Sequence, residues 1–134
     1  RLPLVLLGEP LAVCRLEPGA AVPAWALASR PVSVVARTPD ELSLLVAERS
    51  VPPEEAREPG LRFEGGWRAF MVRGPLPFDL VGIFASMTQP LAEAGLSIFA
   101  LSTFDTDYLL VKSADLGHAR RALEAAGHSI ESGA

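Results

Sequence analysis

The amino-acid sequence predicts an α+β protein of two tandem modules, each an antiparallel sheet with helices on one face. Three observations predict it. Short apolar runs with strand character alternate with segments of helical spacing. These segments read β-α-β-β-α-β in the second half and repeat that order, more faintly, in the first. Finally, Thr38-Pro39-Asp40-Glu41-Leu42-Ser43-Leu44-Leu45-Val46 lies without a gap on Thr103-Phe104-Asp105-Thr106-Asp107-Tyr108-Leu109-Leu110-Val111, which marks an internal duplication. With right-handed crossovers this order gives two ferredoxin-like βαββαβ modules, with antiparallel sheets packed together.

The elements follow in turn. The apolar run Leu2–Leu7 reads as a first strand or arm, because Gly8-Glu9-Pro10 interrupts it. In the first half, 11–16 reads as a strand, Glu17-Pro18-Gly19 as a turn and 20–29 as a short helix. A strand over 31–37, a turn over 38–41 and a strand over 42–48 come next. Three prolines in 52–59 limit its helix to about two turns or a loop, so this module has a short second helix or none. A strand over 61–64 ends it. Gly65-Gly66 reads as a turn, and the modules are divided there into 1–64 and 65–134.

The second half opens with a strand over 67–73. Leu80, Ile83, Phe84, Met87 and Leu91 then form one face of a helix, with Asp79 placed to cap its start, Gly95 to end it and Pro90 to kink it. Strands over 96–101 and 108–111 flank a polar turn at Thr103–Thr106. Leu116, Ala119, Leu123 and Ala126 form a second amphipathic helix, capped by Asp115 and closed by Gly127, before a short strand over 128–130.

Composition narrows the functions. The chain has 134 residues, 49% of them apolar, and a formal net charge of −4. Phosphate binding needs a basic face, and the basic residues here are scattered, so neither nucleic acid nor an anionic membrane is expected as a partner. No apolar stretch has the length of a membrane span. The single cysteine, Cys14, cannot form an intrachain disulfide and sits in an apolar run, which fits packing and a reducing, cytoplasmic setting.

Asp79-Leu80-Val81-Gly82-Ile83-Phe84 resembles the Asp-x-x-Gly-hydrophobic loop that opens the first helix of ACT domains. Together with Gln89-Pro90-Leu91-Ala92 and the stretch Ile98–Tyr108, it is similar to the ACT subfamily of small bacterial tandem-ACT proteins and the CASTOR-type arginine sensors. The resemblance is strong from about Gly74 to Gly127. It implies a regulatory module that binds a free amino acid or similar small metabolite, has no catalytic activity, and acts on a regulated protein that the sequence does not identify. By position, the sensors' pocket carries over to Phe78, Asp79, Leu80, Gly82, Ile83, Thr103, Phe104 and Asp107. Leu80 stands where the sensors have a carboxylate, so arginine specificity is not implied.

The residue types suit a zwitterion. A helix N-terminus attracts a carboxylate through free N–H groups and its dipole. Asp107, with Ser102 and Thr103, can hold an ammonium, and Phe78, Ile83 and Phe104 can wall the side chain. Each also has a plainer reading. Asp79 can be an N-cap, Thr103 and Asp105 turn residues, Asp107 a solvated strand end, and Gly82 a packing glycine. Thr38, Asp40 and Arg37 mark the equivalent place in the first half and read either as facing the other module's site or, the favoured reading, as a relic.

Enzyme readings find little support. His118 and His128, the only histidines, have no spacing for zinc and no partner for a triad. No metal, and no cofactor motif such as a dinucleotide or Walker loop, is expected. Exposed sheet edges favour a homodimer and supply the alternative reading, an interaction module that works by self-association or through a partner.

Overall fold

The computed structural model describes residues 1–74 and 81–133. In chain order the elements are β1 (Pro3–Leu6), β2 (Leu11–Leu16), α1 (Ala24–Leu27), β3 (Ser33–Arg37), β4 (Leu42–Ala47), β5 (Arg62–Val72), α2 (Ile83–Glu93), β6 (Ile98–Ser102), β7 (Asp107–Lys112), α3 (Leu116–Ala125) and β8 (Ser129–Ser132). They form two compact units. One is Glu9–Trp67; the other joins Arg1–Gly8 to Arg68–Ala134. Residues 1–8, assigned by sequence to the first module, thus belong with the second half of the chain.

In the Glu9–Trp67 unit the strands lie in the order β3-β4-β2-β5, antiparallel throughout. The two-residue period of a strand puts Ala12, Cys14 and Leu16 on one face, with Leu42, Leu44 and Val46 beside them and Ala26 of α1 above. Burial in this core pushes the Cys14 thiol up to about 11. The helix expected over 20–29 covers only Ala24–Leu27. Pro23 explains the late start, because a residue before proline is driven out of the helical region. The second helix is replaced by two 3-10 turns, Glu48–Ser50 and Glu54–Ala56. Trp25 Nε1 donates to Glu58 Oε1 at 3.0 Å, and the Arg57 guanidinium lies 4.7 Å from the Phe63 ring centre, which fastens this segment.

Gly65-Gly66 is a β-bulge inside a continuous strand, not the turn read from the sequence. Leu11 faces Trp67 while Val13 faces Glu64, so β5 carries one extra residue. Gly66 absorbs it at φ 75°, and its N–H donates to Glu48 Oε1 at 2.8 Å. A glycine pair can end a strand or swell it, and here the carboxylate of Glu48 holds the swollen form.

In the other unit the order is β6-β7-β5-β1-β8. Without β1 this is the expected four-stranded ferredoxin-like sheet. β1 enters between β5 and β8, antiparallel to the first and parallel to the second. Leu4, Val5 and Leu6 are all buried, and bonds such as Arg73 N–H to Pro3 O (2.9 Å) and Ser129 N–H to Leu2 O (3.1 Å) run to both sides. The helices lay Met87, Leu91, Ala119 and Leu123 on the sheet residues Leu4, Leu6, Phe70, Val72, Leu109 and Val111. Both helices end alike. Gly95 and Gly127 have φ of 78° and 99°. The next N–H groups reach back to Leu91 O and Leu123 O, at 3.0 and 3.1 Å, which is the Schellman closure.

Pro90 lies within α2 and has no N–H for the carbonyl of Ser86, four residues back. His128 supplies the donor. Its Nε2 is 2.8 Å from Ser86 O, and its Nδ1 is 3.0 Å from the Leu2 nitrogen. A carbonyl only accepts and a backbone N–H only donates. Nε2 therefore donates to Ser86 O, and Nδ1 accepts from the Leu2 N–H.

The duplication is visible in the element bounds. β3 and β4, at 33–37 and 42–47, recur at a constant offset as β6 and β7, at 98–102 and 107–112. Thr38 N–H bonds Glu41 O at 2.9 Å, and Thr103 N–H bonds Thr106 O at 2.8 Å, closing equivalent turns.

Candidate functional site

The site read from the sequence has two parts: the chain leading into α2 and the β6–β7 hairpin. Phe78, Asp79 and Leu80 lie outside the described residues. The remaining positions, Gly82, Ile83, Thr103, Phe104 and Asp107, all belong to the unit that contains α2.

The hairpin is held at a defined place. Thr106, 8% exposed, donates its hydroxyl to Val72 O at 2.6 Å. Val72 is the last residue of β5, from which the chain departs towards α2. The turn between β6 and β7 therefore sits at the strand end where that connection begins. Thr103 Oγ1 donates to Thr106 O at 3.2 Å and so braces the turn from inside. Asp107 opens β7 opposite Ser102, whose hydroxyl donates to Asp107 Oδ1 at 2.7 Å. That bond fixes the half-buried carboxylate and leaves acceptor capacity on it. Phe104, at the tip of the turn, is 78% exposed.

On the other side Val81 is 91% exposed. Gly82 precedes the first turn of α2 with φ 78°, and a Cβ added there would meet no described atom within 4 Å. The glycine is thus explained by its left-handed backbone, not by a close neighbour among the described residues. Asp79, expected to cap the helix, stands further back than the residue that occupies the cap: α2 starts at Ile83, with Gly82 as its N-cap. Ile83 packs half-buried against the core, and Ser86 Oγ donates to Ile83 O at 2.7 Å.

Thr106 is the positioning residue that sequence reasoning missed. A threonine in a Thr-Phe-Asp-Thr turn reads as turn chemistry, and only its buried hydroxyl distinguishes it. The first unit has lost this arrangement: Glu41 stands at the place of Thr106, and Leu42, fully buried, at that of Asp107.

This sheet order, with two helices on one face and a glycine-led first helix, defines an ACT-type regulatory fold. A family model of the ACT domain matches residues 62–125, and a model of an N-terminal domain matches 9–54. Residues 62–125 thus carry an ACT domain. The chain is similar to protein Atu0741 from Agobacterium tumefaciens, whose crystal structure is 36% identical, with a TM-score of 0.87 over 100% of this chain and 95% of that one. The regulatory subunit of aspartate kinase from Thermus thermophilus, 17% identical, shares the fold with a TM-score of 0.62 over 92% of this chain and 95% of its own. Among curated proteins, the cytosolic arginine sensor for mTORC1 subunit 1 of Homo sapiens and that of Bos taurus are each 42% identical over 52 residues, 38% of this chain. The match spans 16% of the length of those sensors. Among the described residues no helix is long and apolar enough to cross a membrane.

Proposed function

We propose that this chain is a non-catalytic regulatory module that binds a free amino acid or a similar small metabolite. The ligand sits between the start of α2 and the β6–β7 hairpin. Phe78, Asp79, Leu80, Gly82 and Ile83 contribute from one side, and Thr103, Phe104 and Asp107 from the other. The observation that carries this reading is the Thr106–Val72 hydrogen bond, which tethers the hairpin where the connection to α2 leaves β5. Asp107 is already oriented by Ser102 and takes the ammonium. The N–H groups at the start of α2 take the carboxylate. The resemblance to a cytosolic arginine sensor supports an amino acid as ligand. Leu80, in the place of the sensors' carboxylate, argues for a ligand without a second cationic group. The signal passes to a partner protein or a change in assembly, in the cytoplasm.

The test is thermal unfolding with a panel of free amino acids. A ligand that binds only the folded state, at 100 times its Kd, stabilises by about 2.7 kcal/mol and raises Tm. Asp107→Asn should abolish that rise while leaving the ligand-free Tm close to the parent's. A panel without a stabilising member, or a rise unchanged in Asp107→Asn, contradicts the reading.

The alternative, a protein interaction module, is favoured by β6. Its sequence, Ile98-Phe99-Ala100-Leu101-Ser102, carries no charge, and it lies at the end of its unit's strand order. This reading predicts concentration-dependent self-association that a lysine at Ala100 breaks.

A further inference from the structure

The Glu9–Trp67 unit has a feature that the proposed function does not use. A groove of about 300 Å³ opens on its sheet, lined by Val13, Arg15, Glu41, Ser43, Arg62 and Glu64, with Cys14 and Phe63 between them. The six side chains alternate along three adjacent strands or their ends, so they share one face. It is the face opposite the core, because Cys14 and Leu44, their immediate neighbours, belong to the core under α1.

Register makes the face specific. Arg15 stands opposite Ser43 on one side and opposite Arg62 on the other, so two guanidinium groups and a hydroxyl form one row. Like charges directly opposite in a sheet oppose folding. The Arg62 side chain has no hydrogen bond or ion pair among the described residues to offset this. Arg15, by contrast, is held in place: it donates to Glu17 Oε2 at 3.3 Å and to Asp40 O at 3.1 Å. Glu41 lies one pleat from Ser43 on the same face, where the β3–β4 turn ends. The row of donors is therefore flanked by a carboxylate on either side, Glu41 beyond Ser43 and Glu64 beyond Arg62, and Glu64 already has another interaction.

The geometry points to a second ligand site here, for a small carboxylate that also carries an ammonium group. The carboxylate lies across Arg15 and Arg62, with Ser43 Oγ as a third donor, and the ammonium turns to Glu41. The volume is at the low end for ligand sites and suits a metabolite of amino-acid size. The site is confined to this unit. At the constant offset of the duplication, Tyr108 replaces Ser43 and buried Thr106 replaces Glu41. The inference is independent of the α2 site, since the two share no residue.

The test is an amide-resolved NMR titration of the full chain with L-glutamate, L-alanine, succinate and inorganic phosphate. Either amino acid should move the amides of Arg15, Ser43 and Arg62. Arg62→Gln should weaken that response at least about tenfold, the scale of a charge-assisted bidentate pair. Glu41→Gln should weaken the amino acids but not succinate. Asp107→Asn should change nothing at this groove, which separates failure here from failure of the α2 site. Three outcomes overturn the proposal: no movement with either amino acid, movement unaltered in Arg62→Gln, or phosphate and succinate binding as tightly as the amino acids in the parent chain.

Discussion

Replacing His128 by alanine should destabilise the protein by an amount that depends on Pro90. His128 is 5% exposed and serves two backbone groups with no other partner among the described residues: the Ser86 carbonyl, stranded by Pro90, and the Leu2 N–H just before β1. Each buried group left unsatisfied costs about 1–3 kcal/mol, so His128→Ala should cost about 3 kcal/mol. For a chain of this size that lowers Tm by about 10 °C. Pro90→Ala supplies a helical N–H to Ser86 O. In that background His128→Ala should cost about 1 kcal/mol less, because one of its two duties is already met. Urea unfolding of the parent, the two single variants and the double variant at pH 7 measures the coupling. Strict additivity, or a His128→Ala cost below about 0.5 kcal/mol, would refute the reasoning, since that is the range of surface substitutions.

Other expectations follow from the same geometry. Thr106→Val removes the hydroxyl from Val72 O; it should cost about 1–2 kcal/mol by urea unfolding and weaken the ligand found in the amino-acid panel, because the hairpin loses its tether. Gly66→Ala forces a side chain into φ 75° and should cost about 1–2 kcal/mol, with Gly65→Ala also destabilising because its Cβ would lie 2.8 Å from the Glu48 carboxylate that holds the bulge. Cys14, with its thiol raised to about 11 by burial, stays protonated at pH 8, so labelling by a thiol reagent should follow the rate of unfolding and not the thiolate fraction at the surface. Labelling within seconds in native buffer would contradict that burial.

Much of this was legible in the sequence, for reasons that are local. The helical spacing of Met87 and Leu91, the alternation in 11–16 and 42–47, and the paired Thr-turn segments each reflect a period of the backbone itself. The duplication predicted equivalent hairpins, and they recur with identical lengths. What stayed hidden depends on partners distant in sequence. Leu2–Leu7 reads as a strand, but its insertion between β5 and β8 depends on bonds to residues at the far end of the chain. Gly65-Gly66 reads as a turn because the deciding group, Glu48, is remote. α1 is shorter than its apolar spacing because Pro23 acts on the residue before it. In the proposed site, Asp107 and the hairpin are read from the turn pattern and the family resemblance. The tether through Thr106 cannot be, since a buried threonine and an exposed one look alike in sequence. The Arg15–Arg62 row was invisible for a similar reason: its register across β2 and β5 is set by a bulge.

The most direct measurement is an NMR titration of the full chain with each of the common amino acids, read at the amides of Gly82, Ile83, Thr103 and Asp107. The account predicts that at least one amino acid shifts these four together, saturably, and that Asp107→Asn removes the response. No shift at these positions with any amino acid, while the amides disperse as in a folded protein, would contradict it.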